Sequence, residues 1–210
     1  MLVLSELNAL LGIVDKAQSW LSQVFAQRKN REEQQAANLL AAAGILVAAM
    51  RTLDNSLRAI TSELNLFTPE WPQERREELV QRMNAFANDE KILPVVRQYS
   101  EQLERLLPNA QAGDEEDARA VLECARGILA ALGDSPVTPF PDTTALRAFL
   151  MLIKQASTPE DVKMAIEQSD SVVALVGRDV LRRADLAFGR LKGRILQRHQ
   201  KLPKPSWFDE

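Results

Sequence analysis

The chain has 210 residues, 26 Lys and Arg against 29 Asp and Glu, 46% apolar and 5% aromatic residues, and a single Cys and a single His. A chain of this length buries roughly 70% of its unfolded surface on folding, enough for one core or two small ones. One thiol excludes an intramolecular disulfide and a Cys-based zinc site, and one imidazole excludes a multi-His metal centre, so neither a metal nor a cofactor is expected.

No basic leader precedes the first apolar stretch, which carries Glu6 and Asp15. The longest run without a polar side chain, Leu39 to Met50, reaches about 18 Å against the roughly 30 Å of a bilayer core. A buried helix in a cytoplasmic protein is the expectation, with no membrane partner.

Apolar residues recur at helical spacing along most of the chain and no convincing stretch alternates with period two, so the class is all-α. The expected architecture is an antiparallel helical bundle of about seven or eight helices, with two long heptad-bearing helices and a long C-terminal helix. The first helix is predicted from about Leu4 to Gln27, with a seam of Leu4, Leu7, Leu11, Val14, Leu21 and Phe25 that Gln18 interrupts once. Gln27 to Gln35 reads either as a short turn or as a polar stretch of helix. The second helix has the cleanest pattern: Leu39, Ala43, Leu46, Met50, Leu53, Leu57, Ile60, Leu64 and Phe67 follow alternate spacings of four and three. A heptad sustained for some four repeats requires an equally long partner. The first helix supplies it only in part, so Leu46, Met50, Leu53, Leu57, Ile60 and Leu64 are candidate interface residues toward another long helix or a second chain.

Pro72 suits the start of a third, amphipathic helix to about Ala87, with Leu79, Val80, Met83 and Phe86 on its apolar face. A fourth starts near Pro94. Asp114 is expected to cap a fifth, whose first turn holds Glu115, Glu116 and Asp117, the sign that complements a helix N-terminus. The linker from Asp134 to Pro141 divides a helical body over residues 1–133 from a C-terminal part over 142–200, either a separate unit or part of one domain. Thr158-Pro159-Glu160-Asp161 signals another helix start, and a long final helix is predicted from Ser171 to about Gln200. Gly189 and Gly193 in it suggest a close helix crossing or a bend. Residues 201–210 form an extended tail, where Trp207 and Phe208 are further interface candidates because adjacent aromatics are costly to leave in water.

Charge is lopsided toward the C-terminus. Between Arg178 and Lys204 nine basic residues face only Asp179 and Asp185, a local balance of +7 in a chain of net charge −3. Arg183, Arg190, Arg194, Arg198 and Lys201 share a narrow helical sector about 27 Å long. Such a ridge points either to the phosphates of RNA or DNA or to acidic residues in this chain or a protein partner. Asp185 is read as an intrahelical partner of Arg182.

Arg194 and His199, four residues apart between them, resemble the Arg-His motif of HEPN ribonucleases. The resemblance implies a dimeric, metal-independent ribonuclease with Arg194 on the phosphate and His199 in proton transfer; Ile195 departs from the polar residue usual in that family. Paired carboxylates such as Glu101 with Glu104 sit where salt-bridged surface is expected. The leading functional expectation is a non-enzymatic helical interaction or scaffold subunit of a larger assembly, as a homo-oligomer or with a protein partner. A nucleic-acid-binding subunit and the HEPN-like ribonuclease are the alternatives.

Overall fold

The computed structural model describes residues 2–28, 30–66, 68, 70–75, 77–79, 81, 92–131, 152, 158–174, 180–205 and 207. The chain is all-α, with no strand among the described residues. Its main helices are α1 (Leu2–Gln27), α2 (Arg31–Asn65), α3 (Ile92–Leu106), α4 (Ala112–Ala131), α5 (Pro159–Ala174) and α6 (Arg182–Arg198).

The polar stretch after α1 is a short turn. Asn30 caps α2 by accepting the Glu32 N–H at 2.9 Å, and Glu32 and Glu33 in the first turn complement the helix dipole. α2 is the central helix and packs against each of the other five. It is long and apolar enough to span a bilayer by length and composition, and 78% of its most apolar window is buried inside the chain. Leu46, Met50, Leu53, Leu57 and Leu64 are all buried within this one chain. The seam expected to need an outside partner is therefore filled by the chain's own helices, because five neighbours surround α2 where the sequence suggested one. The side chain of Ile60 lies outside the described residues.

α1 lies on α2 through a different stripe from the predicted one. Leu10, Ala17, Trp20 and Val24 are buried, with Ile13 half-buried between them. These positions also follow a seven-residue repeat, displaced by one residue from the Leu11, Val14, Leu21 and Phe25 seam. Small Ala17 lets α1 approach the Ala-rich first half of α2, where Ala37, Ala41, Ala42 and Ala43 are buried. Leu11 and Phe25 remain 43% and 42% exposed.

Trp71 starts the next segment, stacked under Arg75 with the guanidinium carbon 3.7 Å from the ring centroid. Leu79 is buried, as predicted, whereas Val80, Met83 and Phe86 lie outside the described residues. So do the 134–141 linker and, apart from residue 152, residues 142–157. α4 starts two residues earlier than its predicted cap, which moves Asp114 into the first turn. α5 starts as the sequence suggests, with Thr158 and Asp161 exchanging backbone-to-side-chain bonds of 2.8 and 3.3 Å in a reciprocal cap and Pro159 in the first turn.

The long final helix predicted from Ser171 is described in two stretches: α5 runs through Ser171 to Ala174 and α6 spans Arg182–Arg198, while residues 175–179 lie outside the described residues. α6 buries one face: Val180 just ahead of it, then Ala184, Phe188, Leu191 and Ile195 are all core residues. Gly189 and Gly193 are exposed, and a Cβ built on either meets nothing within 4 Å. They mark no close crossing.

Cys124, on α4, is buried and free. Burial pushes its thiol pKa up, the Arg183 charge pulls it back and Glu123 adds to the rise. A thiol whose folded pKa lies above its unfolded value adds stability that is complete below the ordinary thiol range and is lost as pH rises through it. Cys124→Ala is expected to flatten the alkaline limb of the stability curve, and native Cys124 to alkylate far more slowly than the denatured chain at pH 8. Equal alkylation rates in the two states would contradict its burial.

Candidate functional site

α4 and α6 lie side by side and antiparallel, and the basic ridge falls along their contact. Arg190 donates through Nε and Nη2 to Asp117 Oδ1 at 2.9 and 2.7 Å. Arg194 donates through Nε to Asp114 Oδ1 at 3.1 Å, and through Nη2 to Asp117 Oδ2 and the Gly113 carbonyl. Arg198 Nη1 reaches Asp114 Oδ2 at 2.6 Å. Arginines spaced i, i+4, i+8 on one helix thus interleave with aspartates spaced i, i+3 on the other, and all four carboxylate oxygens receive a guanidinium donor.

The electrostatics explain why the ladder is built this way round. Asp114 and Asp117 are each 3% exposed, a position an ionised carboxylate tolerates only when paired and hydrogen-bonded. The arginines keep contact with water, Arg190 with 60% of its side chain exposed. Partial burial alone would lower the Arg194 pKa, but its bonds to Asp117 and Asp114 outweigh that and raise it. Asp114 and Asp117 also lie within the first two turns of α4, where the helix dipole favours negative charge. Three arginines on two aspartates leave one positive charge in excess.

The ridge is therefore not a row of unengaged phosphate donors. Arg190, Arg194 and Arg198 pair with Asp114 and Asp117, and Arg183 and Lys201 are exposed on the same helical sector. Asp185 does not pair along its own helix. It accepts from Arg51 on α2, at 2.8 Å from Nη2 and 3.1 Å from Nε. Arg194, the first member of the HEPN-like pair, is held by two carboxylates and a carbonyl. His199 ends α6, its N–H bonded to the Ile195 carbonyl at 2.9 Å, and its side chain lines a cleft of about 140 Å³.

The tail folds back onto α1. The Leu202 N–H bonds to the His199 carbonyl at 2.9 Å, turning the chain as α6 ends. Arg28 then holds the Lys201 carbonyl at 2.5 Å, and the Trp20 indole N–H donates to the Pro203 carbonyl at 2.9 Å. Trp207 meets Trp20 edge to face, with centroids 6.4 Å apart, and Leu202, Pro205 and Trp207 are buried. Trp207 is thus engaged within the chain, and Phe208 lies outside the described residues.

Among the described residues, one apolar row that the folded chain leaves partly open is the second stripe of α1. Leu11 and Phe25 are its exposed ends, and Val14 and Leu21 are half-buried on its inner edge. Its one polar member, Gln18, donates to the Tyr99 hydroxyl on α3 at 3.3 Å. The break in the stripe is thereby tied to the chain's own core. No signal in the periodicity of α1 distinguishes the two stripes, since both repeat every seven residues; the large Trp20 on the buried one is the only hint.

No metal-binding cluster of His, Cys, Asp and Glu occurs among the described residues. Of the paired carboxylates, Glu101 is partnered by Arg105 and Glu104 by Arg126 at 2.5 Å, whereas Glu77 accepts from Gln73 Nε2 at 2.8 Å. Comparison with known proteins finds no matching family model, no similar curated protein and no similar solved structure.

Proposed function

We propose that this protein is a helical interaction subunit, an antiparallel bundle that pairs with a second copy of itself through the outward stripe of α1. The observation that carries this reading is the doubled heptad of α1. One stripe is buried on α2, and the other leaves Leu11 and Phe25 exposed about 21 Å apart, with Val14 and Leu21 half-buried against the core between them. The same repeat continues in sequence back to Leu7 and Leu4.

A stripe with a 3.5-residue period accepts knobs from a helix with that period. A second copy of α1 supplies it in self-matching register, which a two-fold pair requires. Gln18, which would be stranded in an apolar seam, already has Tyr99 as a partner. An apolar row on an otherwise polar outer face is the kind of surface that marks an association site.

Light scattering coupled to size exclusion tests this. The chain is expected to run as a dimer whose dissociation constant rises by about a hundredfold in Leu11→Glu/Phe25→Glu, two charges placed in a desolvated seam. Circular dichroism is expected to be unchanged, because both side chains face water in the single chain. A wild-type protein that stays monomeric at high concentration would overturn the self-pairing. A monomer that instead binds a different protein through Leu11 and Phe25 would make it a hetero-association module.

A further inference from the structure

We infer that the cleft where three helix ends meet is a binding site for a small zwitterion of the free amino acid class. Its walls come from distant parts of the sequence. The first turns of α2 bring Glu32 and Gln35, the turn between α3 and α4 brings Asn109 and Gln111, and the end of α6 brings Arg198 and His199. Leu39 and Leu106 contribute apolar surface.

These polar groups are not engaged elsewhere. Among the described residues, the side chains of Glu32, Gln35, Asn109, Gln111 and His199 take part in no hydrogen bond or ion pair. Arg198 gives Nη1 to Asp114 and keeps its remaining donors. Asp114, which also lines the cleft, is already neutralised by Arg194 and Arg198. It therefore leaves Glu32 as the open anionic acceptor. Arg198 is the arginine of the Arg-Asp ladder that lines this space.

Charge sets the ligand class. A polyanion meets Glu32, and a plain cation meets Arg198. A molecule with a carboxylate for Arg198 and His199 and an ammonium for Glu32 satisfies both. The three amides, each both donor and acceptor, suit either end or a polar side chain. The volume of about 140 Å³ is close to that of a cavity of roughly 150 Å³ that accepts benzene, so a small amino acid fits within it.

The test is a thermal-shift screen of the full chain against each of the free L-amino acids, inorganic phosphate and putrescine at millimolar concentration, followed by calorimetric titration of any hit. The expected result is at least one amino acid that raises the melting midpoint by mass action. Its binding weakens at least about tenfold in both Glu32→Gln and His199→Ala and is unchanged in Glu123→Gln, an exposed α4 position away from the cleft. Neither cleft side chain has a hydrogen-bond or ion-pair partner, so both variants are expected to fold, Glu32→Gln giving up only its favourable charge at the α2 N-terminus, and each is compared with its own ligand-free midpoint. The inference is overturned if no amino acid shifts the midpoint, if a hit binds both cleft variants as tightly as the wild type, or if phosphate or putrescine alone binds.

Discussion

Trp207→Ala is expected to destabilise the protein by about 3–5 kcal/mol, the range for removing a buried aromatic from a packed site. Trp207 is 3% exposed and closes over the edge of Trp20, whose N–H holds the Pro203 carbonyl. Without the indole, a two-proline segment has little apolar surface with which to stay docked, and Trp20 opens to solvent. Chemical denaturation measures the loss, and acrylamide quenching of the remaining tryptophans is expected to rise in the variant. A loss under about 1 kcal/mol, with quenching unchanged, would show that the tail is not held on α1 in its own chain.

Arg194→Met is the second large effect, at about 3 kcal/mol. Breaking a buried ion pair by removing one partner typically costs 3–5 kcal/mol, because it strands the other charge. Here each stranded carboxylate keeps one arginine, Asp117 with Arg190 and Asp114 with Arg198, which holds the cost at the lower end. The reverse change is expected to be milder. In Asp114→Asn/Asp117→Asn the half-exposed guanidinium groups turn to water, and no buried charge is left behind. Urea titration of the three proteins checks the order. If the double asparagine variant is the less stable one, burial of the aspartates is not what governs the ladder.

That ladder shows how much of the site could be read from sequence. Arg183, Arg190, Arg194 and Arg198 were legible as one face of a helix, since helical spacing alone places them there. Their partners were legible only as helix-start acids. The three-residue step from Asp114 to Asp117 against the four-residue step along the arginines is a complementary pattern for antiparallel helices. Matching it requires knowing that α4 and α6 are neighbours, a contact between residues roughly 75–85 positions apart that no local rule supplies.

The same limit explains α1. Periodicity identified the helix and its heptad but favoured the stripe richer in leucine. The packed stripe wins for reasons lying far along the chain. Ala17 permits close approach to the alanines of α2, and Trp20 is anchored by a tail more than 180 residues away. By contrast, the core face of α6 and the reciprocal cap at Thr158 follow from residues within a few turns, and the helix start at Thr158 was predicted from them. Gly189 and Gly193 misled because a helical glycine pair is equally compatible with a crossing and with open solvent.

Hydroxyl-radical footprinting of the full chain at low and high protein concentration tests the self-pairing of α1 most directly, because exposed apolar residues elsewhere serve as internal references. Leu11 and Phe25 are 43% and 42% exposed in the single chain, and Met164 on α5 and Leu186 on α6 are 45% and 55% exposed. Pairing through the outward stripe predicts that oxidation of Leu11 and Phe25 falls as concentration rises while that of Met164 and Leu186 stays constant. Constant oxidation at all four sites, or protection that appears at Leu186 and not at Phe25, would contradict it.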